Sequence, residues 1–274
     1  IALRATNPWM SVSAMAIFVR PLLKSLPLFV LPSTSGTGSE VTYFSVITDE
    51  ERHKKCAIVT DKFLPRQIVF DYDLLHTVPV NPTVYAGLDA LTHSVESFIS
   101  KIKPIFKKDA ASSHEVCRDI FRYLPVVKND PDNEEARLAM AKAAYNAGIN
   151  FRRNGVGFVH SIAHRIGENY HVPHGLACGV ILPLVLRASL DDARKDLDFL
   201  ARESGVAEDA EGFVSAIEKL LVDLGVPTQF EGIRTEDYSR MMSRIWPEVM
   251  MLGVPTWLGK NEVTKILDQI RVKP

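Results

Sequence analysis

The sequence predicts an α/β segment followed by an all-helical one, and three observations carry that expectation. Up to about residue 80 the apolar runs are short and are separated by Gly, Ser, Thr, Pro and charged turns, as strands are. Beyond that point apolar residues recur at helical spacing in one stretch after another. Between the two lies Val78-Pro79-Val80-Asn81-Pro82, whose prolines interrupt the strand pattern and suit the start of a helix. The division is therefore drawn as 1–80 and 81–274.

In chain order, residues 27–32 (Pro-Leu-Phe-Val-Leu-Pro) predict a short apolar strand running into a Ser/Thr/Gly loop. Residues 41–47 and 56–59 predict two strands joined by the charged turn Asp49-Glu50-Glu51-Arg52-His53-Lys54-Lys55, and 67–70 a further strand ending at Asp71. Helices are predicted over about 83–101, 108–124, 133–152, 155–167, 174–189, 192–203, 208–224, 235–247 and 260–270. Asn129-Asp130-Pro131-Asp132-Asn133 signals a helix start, and Pro173 precedes another. The apolar run 177–186 reads as a buried helix.

Composition narrows the class. The chain has 274 residues, 46% hydrophobic and 24% charged, as in a soluble globular protein with a substantial core. A net charge of −1 gives no reason to expect nucleic acid or an anionic membrane as partner. The stretch 15–32 is broken by Arg20 and Lys24, and a membrane span needs about 20 apolar residues in a row. Cys56, Cys117 and Cys178 are isolated and odd in number, which points to a reducing, cytoplasmic setting. The first residue is Ile1, so the chain is expected to start inside a longer one or after processing.

Four of the eight histidines, His160, His164, His171 and His174, fall within fifteen residues. Upstream, Asp89 and His93 are four apart and share one helix face; His160 and His164 are spaced likewise. A buried histidine is ordinarily a hydrogen-bonded core residue. Four so close together, with a paired aspartate, argue instead for a divalent transition metal: Fe, Zn, Co, Ni or Mn rather than Mg or Ca. Spacing leaves open which histidines bind. No thiol is read as near enough to demand zinc. Glu96, three residues after His93, reads as a solvated helix residue rather than a group orienting a ligand, and His53, His76 and His114 read as surface or structural.

The loop Pro32-Ser33-Thr34-Ser35-Gly36-Thr37-Gly38-Ser39-Glu40 has glycines and hydroxyls suited to phosphate or ribose. It lacks Gly-Lys-Ser/Thr and GxGxxG, so taken alone it reads first as a polar turn.

At these residues the chain resembles the iron-containing (group III) alcohol dehydrogenase family. The loop 32–40, the turn 46–55, Gly-Leu-Asp-Ala-Leu-Thr-His-Ser-Val-Glu-Ser-Phe-Ile-Ser at 87–100, and the long match from Asn154 to Pro183 carry the resemblance. It implies a partial Rossmann-like α/β nucleotide-binding domain over 1–80. An all-helical metal-binding and catalytic domain over 81–274 would follow, in a dehydroquinate synthase-like fold. It also implies Asp89, His93, His160 and His174 as metal ligands and His164 as the non-ligand histidine beside nicotinamide and alcohol. Cofactor contacts would come from Ser33, Thr34, Thr37, Val46 and Lys55. The implied cofactors are Fe²⁺, or Zn²⁺, and NAD or NADP. The implied chemistry is interconversion of a small primary alcohol and an aldehyde, in a homodimer.

There are departures from the family pattern. Phe44 stands where relatives can carry a cofactor-contacting asparagine, and Arg152-Arg153 are unusually basic. The family's Gly-Gly-Gly-Ser pyrophosphate loop would precede Ile1. His171 matches no functional position and is assigned to supporting the site. The rival expectations are a zinc polyol (glycerol-type) dehydrogenase, a metal-dependent hydrolase without nucleotide, and a truncated chain unable to hold the cofactor.

Overall fold

The computed structural model of the chain describes residues 2–15, 25–49, 54–101, 112–250 and 252–273. Two short helices, α1 (Ala2–Thr6) and α2 (Val12–Met15), precede strand β1 (Phe29–Val30). Then come β2 (Phe44–Asp49), β3 (Lys54–Val59), β4 (Gln67–Ile68) and α3 (Tyr72–His76). Strands β1 and β4 pair in parallel, Phe29 with Gln67 and Val30 with Ile68. Strands β2 and β3 form an antiparallel ribbon, registered from Phe44↔Val59 to Asp49↔Lys54. Leu3, Met15 and Ile58 form a small cluster of their own in this part.

The helical part contains α4 (Val80–Ile99), α5 (Ser113–Asn129), α6 (Glu134–Asn154), α7 (Phe158–Tyr170), α8 (His174–Ala188), α9 (Leu190–Ser204), α10 (Ala210–Asp223), α11 (Tyr238–Val249) and α12 (Lys260–Gln269). These follow the predicted helices closely, and the fold is a partial Rossmann-like α/β part followed by a helical part. Two differences are local. Residues 39–41 form a 3₁₀ turn rather than the start of β2. Asp71, read as a strand end, caps α3 by accepting from the Asp73 amide at 2.9 Å. Residues 108–111 of the second predicted helix lie outside the described residues, as does His53.

Helix α4 is the axis of the fold. It packs against α5, α6 and α8, and Leu88, Leu91 and Val95 are fully buried. A helix apolar on nearly all faces belongs inside. Pro82 sits in its first turn, where a missing N–H costs nothing. Helix α6 starts where the sequence signals it: the Asn133 side chain accepts from the Ala136 amide at 3.0 Å. The buried Arg137 then ties the approach to α4 down, donating to the carbonyls of Leu75 (2.6 Å), Val78 (3.1 Å) and Pro131 (2.6 Å). No helix among the described residues is long and apolar enough to cross a membrane.

Candidate metal centre

Three acid or imidazole groups of α4 point into the core instead of out of it. Asp89, His93 and Glu96 are 3%, 6% and 5% exposed, and their spacing of four and seven puts them on one helix face. Burying such groups is costly unless each finds a partner. Helix α7 supplies His160, 2% exposed, and the first residue of α8 supplies His174.

Close approach of two helices makes the meeting possible. A Cβ on Gly175 would stand 2.0 Å from the Tyr85 carbonyl oxygen of α4, so only glycine lets α8 settle there. The loop 32–40 is packed in the same way. Gly38 takes φ +56°, and a Cβ on it would meet Gly148 of α6 at 2.5 Å.

The donor atoms converge on one oxygen. Asp89 Oδ1 lies 3.5 Å from His174 Nε2, 3.6 Å from His160 Nε2 and 4.0 Å from His93 Nε2. Asp89 Oδ1 and His160 Nε2 are both buried without a hydrogen-bond partner, and such atoms in a folded protein call for an ion or water between them. For a tetrahedral ion with bonds of about 2.0–2.1 Å to nitrogen and oxygen, neighbouring donors stand about 3.4 Å apart. The carboxylate and three imidazoles therefore fit a divalent metal.

The electrostatics of Asp89 and His93 agree. Burial pushes the Asp89 carboxyl up, but the imidazoles of His93, His174 and His160 more than offset it and hold it well below the usual range. Burial lowers His93 to about 3 against the pull of Asp89, so it is neutral, as a ligand imidazole must be. The His93 ring is stacked between Phe151, at 4.0 Å, and His160, at 4.5 Å between centroids.

Glu96 departs from expectation. It is buried, and its carboxylate accepts from His160 Nδ1 at 2.7 Å, the Gly157 amide at 2.8 Å and the Val159 amide at 2.9 Å. It closes the N-terminus of α7, where negative charge is favoured, and fixes the His160 ring with one group. A carboxylate only accepts, so His160 Nδ1 carries the proton and Nε2 turns its lone pair to the centre.

His164 is set apart from the donors, with its side chain 40% exposed. Its ring stacks on His174 with centroids 5.2 Å apart. Its Nδ1 donates to Glu248 Oε1 of α11 at 2.7 Å, and Arg165 reaches the other carboxylate oxygen at 3.2 Å. Glu248 had no sequence signal, since 84 residues separate it from His164.

Two more readings are corrected. A thiol does stand at the centre: Cys178 Sγ is 3.6 Å from His174 Nε2. Asp89, His160, His174 and Cys178 each offer an atom within 4.8 Å of the others. The spacing of four from His174 to Cys178 was the available signal. Burial pushes this thiol up to about 12. His171 is exposed and takes φ 56° at the end of α7, with its amide on the Gly167 carbonyl at 3.1 Å; it is a turn residue.

Of the cofactor candidates, Ser33, Thr34 and Thr37 are exposed along the outer side of their loop. The Thr37 hydroxyl accepts from the Ser39 amide at 3.4 Å. The backbone of Gly36 in the same loop lies against His93, so loop and metal candidates share a neighbourhood. Val46 and Lys55 lie on β2 and β3; their side chains are outside the described ones. His76 is an exposed residue bonded to Asp132 at 2.7 Å, and His114 lies edge-on to Phe199.

Comparison with known proteins points the same way. Residues 83–271 match the profile of the Fe-containing alcohol dehydrogenase family, C-terminal, and residues 1–72 match that of iron-containing alcohol dehydrogenase. The chain is 32% identical over 249 residues to alcohol dehydrogenase 4 of Saccharomyces cerevisiae, covering 89% of this chain and 64% of that one. It is 33% identical over 253 residues to 1,3-propanediol dehydrogenase of Klebsiella pneumoniae, covering 89% and 65%. Among solved structures, sulfoacetaldehyde reductase from Bifidobacterium kashiwanohense in complex with NAD+ superposes with a TM-score of 0.82 at 30% identity, covering 90% and 65%. A 1,3-propanediol oxidoreductase superposes at 0.85 and 28% identity, covering 98% and 72%. The chain thus spans somewhat under two thirds of the curated relatives it matches. With both profiles matched in order along its length, this chain belongs to the iron-containing alcohol dehydrogenase family.

Proposed function

We propose that the protein is a metal-dependent oxidoreductase that interconverts a small primary alcohol and an aldehyde, with hydride passing to or from NAD or NADP. The observation that supports this most is the convergence of His93, His160 and His174 on Asp89 Oδ1 at 3.5–4.0 Å, with two of the buried donors unpartnered. Asp89, His93, His160 and His174 would hold Fe²⁺, or Zn²⁺ in the polyol-type alternative. When bound, the ion would supply Lewis acidity toward the substrate oxygen, and the nicotinamide would supply hydride chemistry.

The chain's own groups divide the remaining work. Asp89 brings a negative charge that neutralises part of the ion's. Glu96 holds His160 in one tautomer. Because His164 Nδ1–H is committed to Glu248, its Nε2 is the atom that takes the alcohol proton, and its half-exposed ring can return that proton to solvent. Ser33, Thr34 and Thr37 would donate to the cofactor, with Val46 and Lys55 lining its path. Residues 1–80 then form the nucleotide side and 81–274 the metal side of one site. We assign the protein to the cytoplasm, as a homodimer without nucleic-acid or membrane partners.

Elemental analysis of protein purified without oxygen or chelator tests the reading. The expected result is about one Fe or Zn per chain, lost in His160→Ala, together with alcohol-dependent reduction of NAD or NADP. Failure of the chain to take up Fe²⁺ or Zn²⁺ would overturn it.

A further inference from the structure

The basic pair Arg152-Arg153 closes helix α6 and has no part in the chemistry described so far. Of the two side chains, that of Arg152 lies among the described ones. It is half-buried, and its Nε is shut off from solvent without a hydrogen-bond partner. No ion pair is found for it among the described residues. The helix dipole favours a cation near the C-terminus of α6. That accounts for the charge but not for the burial, since a surface arginine keeps its nitrogens in water. Arg137, buried on the same helix, spends its guanidinium on the carbonyls of Leu75, Val78 and Pro131. Arg152 has no such partners, and a guanidinium drawn out of water calls for an anion.

Its place says which anion. Tyr145, Gly148 and Arg152 are spaced by three and four, so they share one face of α6. That face meets the α/β part: the Tyr145 ring lies edge-on to Phe70 with centroids 5.9 Å apart, and Gly148 lies against Gly38 and Val41. Arg152 is one turn further along. The helix thus carries it past the loop 32–40 and level with the metal candidates, because its neighbour Phe151 stacks on His93 at 4.0 Å. The negative charge of a nicotinamide dinucleotide sits on its phosphates, a ribose away from the ring that reacts. An anionic group at the level of His93 therefore belongs to the substrate.

We propose that Arg152 is a specificity-determining residue that receives an acid group of the substrate, so that the preferred alcohol is a short hydroxy acid. Its hydroxyl would face the metal centre and its oxyanion the guanidinium. The inference rests on the oxidoreductase reading above and names its substrate class. The planar guanidinium suits a carboxylate, sulfonate or phosphonate through two parallel N–H···O bonds. Recognition needs no proton transfer, because arginine stays charged throughout.

3-Hydroxypropionate and 4-hydroxybutyrate, each set against its own amide, test the proposal, since the amide keeps the size and removes the charge. In the wild type, kcat/KM should favour the acid by at least about tenfold at one length or the other, the low end for hydrogen bonds to a charged group. That ratio should fall to about one in Arg152→Gln. It should lie between the two in Arg152→Lys, which keeps the charge without the fork. Titration calorimetry without nicotinamide gives a readout apart from turnover, in which the acid should bind more tightly than its amide by a similar factor. A wild-type ratio near one in both measurements would overturn the proposal and leave the oxidoreductase reading standing, even where Arg152→Gln does not fold. An acid preference retained in Arg152→Gln would also overturn it; a raised KM for NAD or NADP in that variant would then assign the guanidinium to a cofactor phosphate. If no alcohol reduces either nicotinamide, the oxidoreductase reading falls and the proposal falls with it.

Discussion

The Glu96 carboxylate sits 2.7 Å from His160 Nδ1, and in the same position it receives the backbone amides of Gly157 and Val159. One buried charge thus both starts helix α7 and aims the imidazole that the helix carries. Glu96→Gln keeps the size but halves the acceptor capacity, so one of these roles must fail. The expected loss in Zn²⁺ affinity, read by chelator competition, is about 10- to 100-fold. Glu96→Ala leaves buried amides unpaired, and metal-free protein should lose roughly 2–5 kcal/mol in chemical denaturation. Wild-type affinity in Glu96→Gln would show that the hydrogen bond to His160 does not set the ring.

Asp89 and His164 should separate cleanly. Asp89 Oδ1 faces three imidazoles, and Asp89→Asn removes the charge on which they converge. Metal content after dialysis should fall below that of the wild type. His164 lies outside the donor set, so His164→Ala should keep its metal while turnover of alcohol with the nicotinamide falls by about 10²- to 10⁴-fold. Loss of metal from His164→Ala would overturn its assignment as a proton carrier.

Glu248 gives a prediction in pH. Burial pushes its carboxyl up, and the hydrogen bond from His164 with the charge of Arg165 outweighs this, so the folded value lies below the ordinary 4.5. As pH falls, the unfolded chain takes up the proton first, and stability falls with it. The contribution of Glu248 is therefore complete above about pH 5 and is lost as pH drops through its lower folded value. At neutral pH Glu248→Gln should cost about 1 kcal/mol, and the difference from wild type should shrink in acid. A gap between the two denaturation curves that stays constant down to the acid limit would contradict the ion-paired state of Glu248.

Much of this was legible in the sequence, and the misses have physical causes. Helices α4 to α12 are long enough for their periodicity to speak, and Asn133 marks a start by its own capping bond. Helices α1 and α2 run to five and four residues. Helices so short are marginal alone; Leu3 and Met15 persist through packing with Ile58. At the site, the pairing of Asp89 with His93 is a local spacing and was readable. Glu96 shares that spacing, but an isolated glutamate on a helix is ordinarily solvated, and its partners lie 61 to 64 residues away. The nearness of Cys178 to the centre was missed although it follows His174 by one turn, because the helix reads as uniformly apolar and hides a thiol among core residues.

Gly175 is where the packing and the chemistry depend on the same atom that is absent. A methyl group there would meet the Tyr85 carbonyl oxygen at 2.0 Å and its carbon at 2.7 Å. Both are backbone atoms of α4, which cannot rotate aside. Gly175→Ala must push α8 away from α4 and carry His174 from its place 3.5 Å from Asp89. The expected cost is about 1–3 kcal/mol of stability from overpacking, with at least about a tenfold loss of metal affinity. Gly205→Ala is the control: it takes φ +71° with nothing within 4 Å of an added Cβ, so it strains the backbone far from the centre. That variant should lose melting temperature and keep its metal. If both variants melt early but bind Zn²⁺ as the wild type does, the glycine serves the fold alone. If Gly175→Ala alone loses the metal, the contact between α8 and α4 is what holds His174 against Asp89.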